Sequence, residues 1–294
     1  MNDRYLDKEE SRADLNRETI IHEAAEVSGE AEIGRGCRIG PRAVIGPEVE
    51  MDRNCRIGPG ARLTAKINMG PENTVESGAV LKGGCKTENH DAGAGNIEDG
   101  QAGITMGEKN IIREYAIVEG GGVKLGDENF LMAYTTLKPG VKLKSRIKIA
   151  NMSVLGPEVK VGTGAFIAGI CLLTSGIEVG KLAMLGGHSR FEQDIPPFML
   201  ADGKPARIHS INAVGLRRDG IDREEFSELK EIFREVFRGD SAEAEKTETA
   251  FCIKSMKERI DGLERRDYTG DYALELLTFL KEKESIMPGK GESG

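Results

Sequence analysis

From Ile21 onward an aliphatic residue recurs at every sixth position, through Val27, Ile33, Ile39, Ile45, Met51, Ile57, Leu63, Met69 and Val75 to Leu81. A second run steps in the same way from Leu125 through Leu131, Leu137, Leu143, Ile149, Leu155, Val161, Ile167, Leu173 and Val179 to Leu185, and Met106, Ile112 and Val118 keep the beat between the two. The position after the aliphatic residue is often glycine, as at Gly34, Gly40, Gly58, Gly156 and Gly162. Four places after it sits a small or branched residue such as Ala31, Cys37, Ala43, Val49, Cys55 or Ala61. A helix repeats every 3.6 residues and does not tolerate this much glycine, and an ordinary strand alternates by two and soon ends. A beat of six predicts a short strand and a sharp corner, with one large and one small side chain pointing inward per side. Three sides make a triangular coil, and stacked coils make a parallel β-helix of about eight turns. Residues one coil apart then lie above one another at the strand spacing of about 4.7–4.9 Å.

Two stretches interrupt the beat. Residues 82–105, KGGCKTENHDAGAGNIEDGQAGIT, are polar and glycine-rich, and residues 119–124, EGGGVK, form a shorter excursion. Long loops on a rigid scaffold are where binding concentrates. The runs GAG (93–95) and GGG (120–122) have the composition of phosphate cradles, but neither opens a helix, so plain loops are the simpler reading. After Gly186 the beat stops. The segment QDIPPFMLADGKPARI (193–208) contains Pro196, Pro197 and Pro205, which cannot donate to a ladder and suit the end of a sheet. Beyond it, Ile221, Phe226, Leu229, Ile232, Phe233 and Phe237 repeat at helical spacing with Asp222 as N-cap, and two more helices are expected near 243–264 and 269–284. The predicted fold is therefore an all-β main domain, a parallel β-helix, with an α-helical C-terminal domain. Its parts are a polar arm (1–18), the β-helix (19–190, with the 82–105 insertion), a crossover (191–220), a helical cap (221–286) covering the open sheet end, and a tail (287–294) whose composition predicts disorder.

Composition narrows the picture. The chain has no Trp, 5% aromatic residues and 38 Gly among 294 residues, so its core is thin and made of small side chains. A formal charge of -8, with both signs mixed along the chain, argues against nucleic-acid binding. The N-terminus lacks an apolar export segment and no apolar run of about 18 residues occurs, which predicts no membrane span and a cytoplasmic protein. Cys37, Cys55, Cys85, Cys171 and Cys252 form no CxxC or metal spacing and read as reduced structural or surface residues, Cys37 stacking on Cys55 one coil away. The four histidines, His22, His90, His188 and His209, form no triplet in the coils, so no metal site is expected.

The stretches GEKNIIREYAIV (107–118), GDENFLMAYTTL (126–137) and GGHSRFEQDIPPFMLADGKPARIHSINAVGLRRDGI (186–221) resemble the UDP-N-acetylglucosamine O-acyltransferases that begin lipid A biosynthesis. The resemblance covers about residues 20–240 and implies left-handed coils, a homotrimer with helical caps, and a site between neighbouring prisms. It also implies transfer of a 3-hydroxyacyl chain from acyl carrier protein to the 3-hydroxyl of a UDP-sugar, with no cofactor. Such chemistry requires a general base and a donor to the developing oxyanion. In the family the base is a histidine, and FLMAYTTLKPGV places Pro139 on that position, making the chain a divergent member. Thr136, Glu158, Thr174 and Glu119 take further family histidine positions. Asn212 and Arg218 match nucleotide-contacting positions, the neighbouring family Glu and second Arg being replaced by Val214 and Asp219, and Asp91 corresponds to an acidic residue on the sugar.

Among the residues themselves, His90 beside Asp91 in the long loop is a base candidate, set against an ordinary loop histidine. Glu119 and Glu158 are carboxylate candidates for the same work and Lys138 a binding cation, set against solvated corner residues. His209, near Asn212, is a candidate phosphate contact. His22 reads as structural or exposed, and His188 as packing at the cap, set against a binding role there. Three functions stay open: an acyl-carrier-protein-dependent O-acyltransferase with an altered base, a non-catalytic homologue binding a UDP-sugar or acyl ligand, and an acetyl-CoA-dependent sugar acetyltransferase.

Overall fold

A computed structural model describes residues 18–83, 103–238, 260–263 and 268–282, so His90, Asp91, the N-terminal arm up to residue 17, the tail and most of the helix expected at 243–264 lie outside the described residues. The chain divides into two units, Met1–Gly140 and Val141–Gly294.

In the first unit the six-residue beat becomes three parallel sheets, one per side of the coil, built from strands of two or three residues. Rungs of the beat stack in register. On one side Ile39, Ile57, Val75, Ile112 and Leu131 form a column. On the next, Ile45, Leu63, Leu81, Val118 and Leu137 do so, and on the third, Met51, Met69, Met106 and Leu125. All of these side chains are buried, so the core is a narrow stack of single aliphatic layers. Ile21 is 46% exposed although it lies on the beat, because the first coil has a neighbour on one side only. Pairing resumes across the insertion without slipping: Ile67 is the register partner of Ile104 and Leu81 of Val118.

The second unit continues the same pattern with columns Leu143–Val161–Val179, Ile149–Ile167–Leu185 and Leu155–Leu173–Phe191. Phe191, fully buried, is a rung beyond the expected last one; an aromatic stands where the beat had been aliphatic. An antiparallel hairpin, Met199–Gly203 with Ala206–Ile211, then closes the last coil. Helices α1 (Ala213–Asp219), α2 (Arg223–Phe233) and α3 (Asp271–Glu282) follow. Asp222 caps α2 as expected, accepting from Glu225 N at 2.9 Å. A π-turn at Arg234–Arg238 adds a residue to the helical phase, so that Val236, absent from the predicted stripe, is fully buried. Glu225 and Glu228 of α2 in turn accept from the backbone N–H groups of Asp271 and Gly270, capping α3.

Two kinds of glycine serve the corners. Gly60 adopts φ +67°, the left-handed turn that glycine enters freely. Gly162 is different: a Cβ there would lie 2.5 Å from Lys181 N in the next coil, so the close approach of backbones excludes a side chain.

Candidate functional site

Two buried features of the first unit hold the coils around the insertion in place. The small inward position carries Cys37 and Cys55, then Asn73, Asn110 and Asn129, all at most 1% exposed. Cys37 and Cys55 donate through Sγ to the carbonyls of Asp52 and Gly70 at 3.1 and 3.2 Å, and so behave as core thiols. Asn73 Oδ1 accepts from Asn110 N at 2.8 Å and from Asn110 Nδ2 at 3.0 Å, and Asn110 Oδ1 accepts from Asn129 N at 2.9 Å. Asn73 Nδ2 donates to the Gly107 carbonyl at 2.7 Å. This carboxamide ladder fastens coils that the insertion separates by 37 residues from Asn73 to Asn110.

Outside that core, at the corner where the insertion leaves, Val80–Lys82 pairs with Ile117–Glu119, and Ile117 and Val118 pair with Thr136 and Leu137. Lys82, Glu119 and Lys138 therefore occupy one column on three successive coils. Glu119 Oε2 lies 3.0 Å from Lys138 Nζ and its Oε1 3.4 Å from Lys82 Nζ. The carboxylate is 17% exposed while the two lysines are 39% and 44% exposed, so the cations reach solvent and the anion sits beneath them. The GGG run follows at once: Gly121 and Gly122 take φ +107° and +81°, which turns the chain away directly after Glu119. Thr136 and Pro139 are half-buried next to this cluster. Glu119 and Lys138 were both singled out from the sequence and the fold brings them together. Lys82 was not, because the insertion conceals that it is one coil from Glu119; deleting that insertion from the count reveals the column.

The second unit holds the remaining candidates apart. Glu158 is exposed on a corner at φ +61° beside Pro157, whose carbonyl accepts from Gly176 N and Ser175 Oγ. His188 is exposed at φ +57° on a later corner. His209 Nε2 is 2.8 Å from Asp202 Oδ1 across the terminal hairpin, both side chains being half-exposed. Asn212 is the N-cap of α1: its Oδ1 accepts from Gly215 N at 3.0 Å and its Nδ2 donates to the Leu182 carbonyl at 2.8 Å. Arg218 is exposed in the last turn of α1. Asp219 accepts from Tyr272 Oη at 3.0 Å, tying α1 to α3. In the first unit, His22 Nδ1 accepts from Ala24 N at 3.0 Å, a local turn contact. No cluster of three metal-ligating side chains occurs among the described residues.

Residues 194–287 match the family described as UDP N-acetylglucosamine O-acyltransferase, domain 2, and residues 30–65 match the bacterial transferase hexapeptide family. An acyl-[acyl-carrier-protein]–UDP-N-acetylglucosamine O-acyltransferase from Synechocystis sp. is 32% identical over 178 residues, covering 59% of this chain and 62% of that protein. Its counterpart from Gloeothece citriformis is 31% identical over 58% of this chain and 62% of its own length. The alignments thus span less than two thirds of these relatives. The structure of a UDP-N-acetylglucosamine acyltransferase from Campylobacter jejuni superposes with a TM-score of 0.76 at 26% identity, covering 90% of this chain and 98% of that one. One from Bacteroides fragilis, at 22% identity and a TM-score of 0.77, shares the fold over 90% of this chain and 98% of its own.

Proposed function

We propose, from the similarity to the UDP-N-acetylglucosamine O-acyltransferases, that this chain binds a UDP-amino sugar and transfers to it a 3-hydroxyacyl chain from acyl carrier protein, as a cytoplasmic homotrimer. The observation that carries this reading is the Lys82–Glu119–Lys138 column, which adjoins Pro139, the residue that the resemblance aligns with the family's histidine. In the reaction a sugar oxygen bonds to the thioester carbonyl carbon, the carbon–sulfur bond breaks, and the hydroxyl proton passes through a base to the departing thiolate. Negative charge develops on the carbonyl oxygen, and a fixed ammonium beside it stabilises that charge. Lys138 and Lys82 are suited to this, with Glu119 orienting them. Both oxygens of Glu119 already face ammonium groups, so the base is sought elsewhere, with Glu158 and His90 the candidates that the sequence offers. Arg218, His209, Asn212 and Asp91 remain the proposed contacts to the UDP-sugar.

A second reading has its own support. Pro139 has no ionisable group and Glu119 is fully engaged, an arrangement that also suits a protein that holds the ligand without turning it over. Incubating purified protein with UDP-N-acetylglucosamine and 3-hydroxyacyl carrier protein, and following product by mass spectrometry, separates the two. Acyl transfer is expected, and Lys138→Ala should slow it about 100- to 1000-fold, the usual effect of removing one oxyanion donor. An unchanged rate in that variant removes Lys138 from the chemistry. Absence of product with UDP-sugar binding intact by calorimetry establishes the second reading, and product formed from acetyl-CoA alone points to the sugar acetyltransferases.

A further inference from the structure

Cys37 and Cys55, both fully buried, stand on two successive coils of the first unit. Arg38 and Arg56, the residues after them, are register partners, and Arg38 N donates to the Cys55 carbonyl at 2.9 Å, so the two thiols lie one above the other inside the same sheet. Their α-carbons are one strand spacing apart, about 4.7–4.9 Å, inside the window of about 4.4–6.8 Å that a disulfide spans. Bringing the Cβ atoms into the cystine range of about 3.5–4.5 Å takes a shift of a few tenths of an ångström. One coil before Cys37 the column holds Thr19, which is exposed; one coil after Cys55 it holds Asn73, which shares the Gly70 carbonyl with the Cys55 thiol. A thiol is not needed to fill this position, since Ala43, Ala61 and Ala79 fill its counterpart on the adjoining side and are as deeply buried. Cys171 offers a contrast within the same chain. It is buried in the second unit, but its column neighbours are Ser153 and Ser189, and Ser153 Oγ accepts from its backbone N–H at 3.1 Å.

We propose that Cys37 and Cys55 form a redox-active dithiol, oxidised by hydroperoxides to a cystine that staples one coil to the next. The two thiols are within hydrogen-bonding reach of one another, and they share their protons unequally. Donation from the Cys55 thiol favours a thiolate on Cys37 and brings that group down from 9.0 to about 7 against the opposing effect of burial, while the same bond and burial push Cys55 up. Burial pushes the Cys171 thiol up as well, with no second thiol to offset it. The Cys37 thiolate attacks one oxygen of the peroxide, the oxygen–oxygen bond breaks, and the departing hydroxide takes up the proton that Cys37 released, which leaves a sulfenic acid on Cys37. The Cys55 sulfur then bonds to the Cys37 sulfur, and the sulfenic oxygen leaves as water with the Cys55 proton. Two electrons have passed from the sulfurs to the peroxide, and a dithiol reductant returns them by thiol–disulfide exchange. Entry is from the end of the stack. Ile20 and Ile21 are 51% and 46% exposed on a first coil that has a neighbour on one side only among the described residues, so local opening of that coil uncovers Cys37 first. The proposal is independent of the acyl-transfer reading.

The test treats the reduced full-length chain with hydrogen peroxide at a dose that oxidises free cysteine, blocks the remaining thiols with N-ethylmaleimide, and maps the products by mass spectrometry. Cleavage at glutamate separates the two cysteines, because Glu48 and Glu50 lie between them. A peptide pair joined through Cys37 and Cys55, and released by dithiothreitol, is expected. Cys37 should be consumed at least about 10-fold faster than Cys171, from its larger thiolate fraction. In Cys55→Ser the oxidation should stop at a Cys37 sulfenic acid captured by dimedone, and Cys37→Ser should leave Cys55 unoxidised over the same time. The wild-type map decides the question even where a serine variant does not fold. Absence of the Cys37–Cys55 link, or a link from either of them to Cys85 or Cys252 in its place, overturns the proposal. So do equal rates at Cys37 and Cys171, or a link that forms only in urea, since the folded register would then not be its cause.

Discussion

Tyr272 shows how one side chain joins separate parts of the second unit. Its hydroxyl donates to Asp219 Oδ2 at 3.0 Å, its ring meets Phe198 edge-on at 5.3 Å, and Lys181 Nζ lies 4.9 Å from the ring centre while pairing with Glu275 at 3.4 Å. Burial, and then the neighbouring Asp219 carboxylate, push the phenol up to about 12 from its ordinary value of 10.0. The folded state therefore keeps a proton that the unfolded chain gives up first. The resulting stabilisation is complete below about pH 10 and is lost as pH climbs toward about 12. Urea midpoints should accordingly fall across that window in the wild type, and Tyr272→Phe should reduce the fall. Equal slopes in the two proteins would remove the phenol from the balance. Asp219 was visible in the sequence only as a missing arginine, and its partner, 53 residues away, was not visible at all.

At the scale of elements, the carboxamide ladder decides how coils reunite around the insertion. Buried polar groups are costly unless each is satisfied, so Asn73, Asn110 and Asn129 stabilise only the register in which they meet. Asn110→Val leaves the amide of Asn129 without its acceptor and Asn73 Oδ1 without one donor. A loss of about 1–3 kcal/mol is expected, read as a lower urea midpoint at unchanged slope; a wild-type midpoint would show that the ladder is dispensable. All three asparagines occupy the small inward position four places after Met69, Met106 and Leu125, so the column was present in the beat. Its polarity hid it, since a buried position is expected to be apolar. The helices were more legible: Asp222 caps α2 as its spacing required, and only the π-turn, which shifts burial to Val236, escaped a 3.6-residue count.

For the whole molecule, the proposed homotrimer requires a surface that other copies cover. Tyr115 and Tyr134 are 54% and 51% exposed. Their rings stack at 5.3 Å and 14° on successive corners, and Ile111 of the same unit is 38% exposed. A paired aromatic surface of this kind gains most from exclusion of water. Tyr134→Asp should shift the mass measured by light scattering from trimer toward monomer while preserving the β-sheet circular dichroism. A monomeric wild type would contradict the assembly itself.

The sequence by itself determined the coil, because a period of six places each large side chain inward through its own neighbours and needs no knowledge of distant residues. It also determined the start of α2, which Asp222 caps. Tertiary structure decided the partnerships: which lysines close on Glu119 and which carboxamides meet inside. Those contacts join residues on different coils, and their register depends on loop lengths and corner geometry that a local pattern does not record.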